Sequence, residues 1–347
     1  MKQRELGRSG LMVSEMCLGT MTFGTQTPEA EAHAQMDMAL ESGVNFWDCA
    51  EMYPVNPLRK ETQGDSERIL GTWFEKTGRR GEVVLATKHS GAGHMNVRSG
   101  APISAKTIPE AVEGSLKRLR TDVIDLYQFH WPNRGSYMFR QNWRYDPSGQ
   151  DRAETIAHME EALDALQREV ERGTIRAFGL SNESAWGTCQ WLAAAERTGG
   201  PRVASVQNEY SLLCRLYDTD MAEMSVNEDV GLLAFSPLGA GYLSGKYQGG
   251  KVPEGSRMDF VPQMGGRHGP RVLEAVEAYL DIAREHGLDP VQMALAWTLT
   301  RPFMGASIFG ATTLGQLEHA LGAAEVTLSG EVLEEIDAVH RQHPMPF

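Results

Sequence analysis

Asp48, Tyr53, Lys88 and His130 each sit at, or just past, the end of a short apolar run. Together these four side-chain types can protonate an oxyanion as it forms. A free tyrosine, with a pKa of roughly 10, is a poor acid at neutral pH. A cation beside it stabilises the phenolate and lowers that value. Lys88 can be that cation, and Asp48 can hold the ammonium through a charge-assisted hydrogen bond. His130, in Gln128-Phe129-His130-Trp131-Pro132, can donate to a substrate oxygen or pass a proton to Tyr53. Singly, each has a plainer reading as a packing, solvated or turn-capping residue. Jointly, four polar groups at the ends of three neighbouring strands point to one proton-transfer site.

The elements that must position them are legible as alternating strands and helices. The strand candidates are Met16–Thr20, Val44–Asp48, Val83–Lys88, Val123–Phe129, Ile175–Ser181, Ala204–Glu209, Gly231–Ser236 and Ala306–Phe309. Most are apolar throughout, as expected of a parallel sheet covered on both faces. Ile156, Met159, Leu163, Leu166 and Val170 form a helical stripe that Gly173 stops. Val112, Leu116 and Leu119 form another, with Thr107 as its cap and Pro109 in its first turn. Pro290 starts a further helix and Pro302 ends it. Eight βα units predict an α/β fold, a (β/α)8 TIM barrel. Gln3–Ser14 reads as an N-terminal β-hairpin capping the barrel bottom.

Two connections are long. Pro132–Arg152 follows the fourth strand and Gly239–Pro270 the seventh, so both belong to the face where barrel sites form. Met21, Trp131, Tyr137, Phe139 and Trp143 could line an aromatic pocket there, favouring apolar or aryl carbonyls. No linker and no internal repeat interrupts the chain, so residues 1–347 read as a single domain.

The 347 residues carry a formal charge of −13. Such a chain repels nucleic acid and anionic membranes, and neither is expected as a partner. Cys17, Cys49, Cys189 and Cys214 form no CxxC pair and no zinc-spaced cluster, so no metal is expected. Reduced thiols, a charged N-terminus and no long apolar run point to the cytoplasm. His89, His94 and His268 fall in or beside loops and read as solvated. The oligomeric state is left open.

The motifs resemble the aldo-keto reductase superfamily, including its Tas-like bacterial members and, more distantly, voltage-gated potassium channel β subunits. Leu6-Gly7-Arg8-Ser9-Gly10-Leu11-Met12-Val13-Ser14 is similar to the family's opening. Leu18-Gly19-Thr20-Met21-Thr22-Phe23-Gly24 is similar to its first strand, and Asn45-Phe46-Trp47-Asp48-Cys49-Ala50-Glu51-Met52-Tyr53 to its catalytic segment. The likeness runs from about Leu6 to Ala324. It implies an Asp48, Tyr53, Lys88, His130 tetrad. It also implies NADPH-dependent reduction of a small aldehyde or ketone, with hydride from the nicotinamide and the proton from Tyr53. The channel branch implies an alternative, an NADPH-binding sensor with little turnover and a protein partner.

The resemblance also implies where NADPH is held. Gly19, Thr20, Met21 and Asp48 lie on the first two strands. Ser181, Asn182 and Gln207 bond the nicotinamide carboxamide, and Tyr210 stacks on its ring. Ser236, Pro237, Leu238, Gly239, Gly241 and Lys246 embrace the pyrophosphate, where small residues let backbone N–H groups approach. Arg257 lies near the phosphates. Gly310, Thr312 and Gln316 form a helix start that takes the 2′-phosphate. Two departures weaken the NADP preference: Thr312 stands where many members carry Arg or Lys, and His319-Ala320 replaces Glu-Asn. NADPH is expected over NADH.

Overall fold

The computed structural model describes all residues, Met1–Phe347. Strands β1 (Gln3–Glu5) and β2 (Met12–Ser14) pair antiparallel as a hairpin. Eight parallel strands follow: β3 (Met16–Gly19), β4 (Phe46–Asp48), β5 (Val84–His89), β6 (Ile124–Phe129), β7 (Ile175–Ser181), β8 (Val203–Glu209), β9 (Gly231–Phe235) and β10 (Met304–Phe309). They close into a barrel in chain order, with β10 pairing β3 through Ser307–Met16, Ile308–Cys17 and Phe309–Leu18. Helices surround the barrel, as the (β/α)8 reading expects. Between β9 and β10 there are two long helices, Pro270–Glu285 and Pro290–Leu299.

Side chains alternate across each strand, and this sorts the core into two layers. Cys17, Phe46, Ala86, Leu126, Ala177, Leu233, Ala306 and Ile308 fill the barrel interior, joined by Leu6, Leu11 and Val13 of the hairpin region. The hairpin therefore plugs the bottom, as the sequence implies. The residues between packed strands and helices form the larger core. There Trp47 meets Trp73 edge-on at 4.9 Å, and Phe129, Phe178 and Trp191 form a cluster.

Side-chain oxygens cap several helix starts: Asp151, Ser184, Asp289, Thr313 and Ser329 each accept from the first turn. Thr107 departs from its expected role. It is the first helical residue of Thr107–Leu119, while Ser104 and Thr107 exchange bonds just ahead of the helix (3.2 and 3.0 Å).

The hairpin turn needs a glycine at one position. Gly7 has φ +56°, and a Cβ there would lie 2.4 Å from the Ala204 carbonyl oxygen and 2.8 Å from that of Asp229. Gly7→Ala is expected to lower stability by at least about 1–3 kcal/mol, read from the midpoint of chemical denaturation.

Candidate active site

The alternation that fills the barrel interior with apolar side chains gives way to polar ones at its mouth. Phe46, Ala86 and Leu126 point inward, so Asp48, Lys88 and Gln128, two residues on, do the same one layer higher. Lys88 is fully buried. Its Nζ lies 2.6 Å from Asp48 Oδ2 and donates a second bond of 2.6 Å to the Cys49 carbonyl. The other Asp48 oxygen accepts from Gln128 Nε2 at 3.1 Å and from Gln207 Nε2 at 2.8 Å, across the barrel. A buried ion pair persists only when its remaining lone pairs and protons are bonded, and this one is. Burial disfavours the Lys88 cation, but Asp48 and then Tyr53 hold its pKa above the usual lysine range.

Tyr53 follows β4 on a turn closed by its N–H to the Ala50 carbonyl (3.0 Å). Its own carbonyl accepts from Gly64 and Ser66, at the start of helix Asp65–Thr77. The ring faces the Lys88 ammonium, 4.8 Å from its centroid, and meets the His130 ring edge-on at 5.7 Å. The phenol differs from its expected state. Burial pushes its pKa above the ordinary tyrosine value, with Lys88 pulling the other way. Tyr53 thus stays protonated at neutral pH, ready to give its proton only to a strong base.

His130 is held through its backbone: its N–H donates to the His89 carbonyl (2.9 Å) and its carbonyl accepts from Asn182 Nδ2 (2.9 Å). Burial, then Lys88 and His94, depress its pKa well below the usual histidine value, so the ring is neutral. Its Nδ1 is shielded without a partner. The structure thus brings the four candidates together. In such a setting a carbonyl oxygen near Tyr53 and His130 would be oriented and then protonated.

The polar groups of the second half flank the same mouth. Ser181 Oγ donates to the Gln207 carbonyl (2.8 Å), and Asn182, at φ +54°, leaves its Oδ1 buried without a partner. An orphaned buried acceptor is costly in isolation and fits an amide donor from a ligand. Gly19 ends the first barrel strand, Thr20 just past it donates to the Asp48 carbonyl, and Met21 is half-buried next in sequence.

Tyr210 is not at the mouth. It is fully buried, stacked on Trp297 at 5.2 Å, and its hydroxyl donates to Asp218. The physical reason is parity: Gln207 points inward, so a residue three positions on points out. The ring on the inner face is Phe235, two residues beyond the inward Leu233 and only partly buried. Sequence reading missed it, although the same parity could have found it.

After β9 the backbone turns back on itself: Ser236, Gly239, Ala240 and Gly241 all have positive φ. A Cβ on Gly241 would meet Lys246 Cε at 3.0 Å and Nζ at 3.1 Å, so the glycine gives the lysine its place. Pro237 and Leu238 lie within this turn, between Ser236 and Gly239. Arg257 is half-buried, and burial followed by Arg267 lowers its pKa. Both cations suit an anionic group. The helix start at Gly310–Gln316 is less open than expected. Thr312 N–H donates to Gln316 Oε1 (3.0 Å) and Leu314 N–H to Glu31 Oε1 (2.6 Å).

Two expected pocket aromatics make no ring contact with Tyr53 or His130: Trp143 is 58% exposed, and the half-buried Tyr137 packs on Tyr145 at 5.9 Å. Trp131 does flank the site, 5.0 Å from the His130 ring. Two of the histidines also differ from expectation. His89 is buried and bonded to the Ser90 carbonyl and Thr107 hydroxyl, and His94 has both ring nitrogens shielded. His268 is exposed, as expected, and bonds the Tyr242 hydroxyl at 3.0 Å. Cys49 is buried, which pushes its thiol up and leaves it inert. No helix is long and apolar enough to cross a membrane.

Known proteins are similar to this chain along nearly its whole length. The model of the aldo/keto reductase family matches residues 15–341. The chain is 44% identical to the protein tas of Escherichia coli, covering 100% of this chain and 99% of that protein. It is 33% identical to the uncharacterized oxidoreductase YrpG of Bacillus subtilis, over 98% of this chain and 96% of the relative. A probable voltage-gated potassium channel subunit beta of Arabidopsis thaliana is 31% identical, over 99% and 98%. With the barrel, the polar mouth and these likenesses in agreement, the chain belongs to the aldo/keto reductase family and is an NAD(P)H-dependent oxidoreductase.

Proposed function

We propose that the chain reduces a small aldehyde or ketone to the alcohol, with NADPH as reductant and Tyr53 as the proton donor. The observation that carries this reading is the buried Lys88–Asp48 pair, with the Tyr53 ring against its ammonium and a neutral His130 alongside. His130 donates from Nε2 to the carbonyl oxygen and fixes its direction. Tyr53 gives its proton to the oxygen as negative charge develops there. An alkoxide is a far stronger base than a phenolate, so the raised Tyr53 pKa does not obstruct the transfer. Lys88 steadies the phenolate left behind, and Asp48 keeps Lys88 in place.

The residues of the mouth fit a nicotinamide dinucleotide. Asn182 Oδ1, an unpaired acceptor, suits the carboxamide N–H, with Ser181 and Gln207 beside it. Phe235 is the ring for the nicotinamide face. The positive-φ turn with Lys246 suits the pyrophosphate, and Arg257 suits a further phosphate. Bound there, the reduced nicotinamide supplies a hydride to the carbonyl carbon. With Glu31 and Gln316 satisfying the last helix start, the preference for NADPH rests on Lys246 and Arg257.

Phe235→Ala is expected to weaken cofactor binding by about tenfold through lost ring stacking, whereas Tyr210→Phe leaves it within about twofold. Fluorescence titration of both variants checks this. A second reading, a cofactor sensor with little turnover, draws on the channel-subunit relatives. NADPH consumption with a panel of carbonyl compounds separates the two. Consumption matched one-to-one by alcohol formed supports reduction; tight binding without consumption overturns it.

A further inference from the structure

The ion pair beside Tyr53 is hydrogen-bonded to the groups that flank the nicotinamide side of the mouth. Lys88 Nζ engages Asp48 Oδ2 at 2.6 Å, and the other carboxylate oxygen can only accept. Two amides meet that oxygen, Gln128 Nε2 at 3.1 Å and Gln207 Nε2 at 2.8 Å. Each must therefore turn its NH2 towards Asp48. The second N–H of Gln207 is used as well, donating to Gln128 Oε1 at 3.2 Å. Gln207 keeps Oε1 as its one unused polar atom, and that atom is not sealed in the core.

The same accounting fixes the neighbours at the end of β7. Asn182 Nδ2 donates to the His130 carbonyl (2.9 Å), which can only accept, and to Ser181 Oγ (3.1 Å). Both of its N–H groups are taken, and its buried Oδ1 has no partner. Ser181 in turn gives its hydroxyl proton to the Gln207 carbonyl (2.8 Å). Across these three side chains every donor is consumed within the protein. They leave two acceptors for a ligand, Gln207 Oε1 and Asn182 Oδ1. A primary amide brings two N–H donors to such a site, and a ketone brings none.

We propose that the Lys88–Asp48 pair has a second task. Acting through Gln207, with Gln128 taking up the spare N–H, it makes this part of the mouth acceptor-only. The carboxamide of the cofactor is then read by its NH2 and not by its carbonyl oxygen. Proton donor and cofactor site form one network, so a change of polarity at residue 48 alters which ring substituent binds. This rests on the nicotinamide reading of the mouth.

Calorimetric titration with NADP+ and two of its analogues tests the inference without turnover. The thionicotinamide analogue keeps the NH2 and replaces the carbonyl oxygen with sulfur. The 3-acetylpyridine analogue keeps the carbonyl and replaces the NH2 with a methyl group. The first is expected to bind within about threefold of NADP+. The second should bind about 10- to 100-fold more weakly, because it leaves both acceptors unpaired. Asp48→Asn reverses the polarity. Lys88 keeps the amide oxygen of residue 48, the new NH2 meets Gln207, and Gln207 must turn its own NH2 outward. The gap between NADP+ and the acetyl analogue should then close to within about threefold. Asp48→Asn combined with Lys88→Met dictates neither orientation and strands no charge, and it should narrow the gap as well. An acetyl analogue bound as tightly as NADP+ by the wild type, a larger loss with the thio analogue, or a gap unchanged in both variants would each overturn the inference and leave the cofactor reading intact. Failure of the wild type to bind NADP+ would overturn that reading, and this inference with it.

Discussion

Tyr53→Phe is expected to lower kcat by about 10²- to 10⁴-fold, the usual worth of a positioned general acid. The substitution removes only the hydroxyl. The ring keeps its place against Lys88, 4.8 Å from the ammonium, and its edge contact with His130. The turn that positions residue 53 is built from backbone bonds and does not depend on the hydroxyl. Cofactor affinity should therefore stay within about threefold, since the groups that suit the dinucleotide lie on later strands and loops. Parallel measurement of kcat and of the NADPH dissociation constant checks both halves. A large loss of affinity would mean that Tyr53 serves binding rather than proton transfer.

Lys88→Met carries the second large effect, on stability as well as rate. It leaves the Asp48 carboxylate buried with only the Gln128 and Gln207 amides for partners. Breaking a buried pair in this way costs about 3–5 kcal/mol, because one charge loses its counterion but not its burial. The Cys49 carbonyl loses its donor too. Pairing the change with Asp48→Asn removes the stranded charge and should recover much of the stability. Activity should not recover, since nothing then steadies the Tyr53 phenolate. Denaturation midpoints and kcat for the single and double variants separate the two contributions. Equal stability of single and double variants would show that the pair does not behave as a buried ion pair.

Much of this was legible in the residues because polar groups at the ends of apolar runs break a pattern. Strands apolar on both faces stand out, and all eight were found, with ends shifted by a residue or two. The strand through Trp47, for example, begins at Phe46 rather than Val44. Asp48, Tyr53, Lys88 and His130 were visible for the same reason. Tyr210 and Phe235 show what was harder. Both are aromatics near a strand end, and only the parity set by Gln207 and Leu233 tells which faces the mouth. His94 was read as solvated, and both its ring nitrogens are shielded instead. Its burial depends on the Arg98–Glu51 pair and the Trp131 contact, which join segments distant in sequence.

The central claim is that hydride arrives from the nicotinamide at a carbon whose oxygen Tyr53 protonates. A single turnover with NADPH deuterated at the transferable position tests it most directly. The expected product is an alcohol carrying one deuterium on the carbinol carbon, formed by the wild-type protein and strongly delayed in Tyr53→Phe. Bound, unconsumed nucleotide with no labelled alcohol would contradict it.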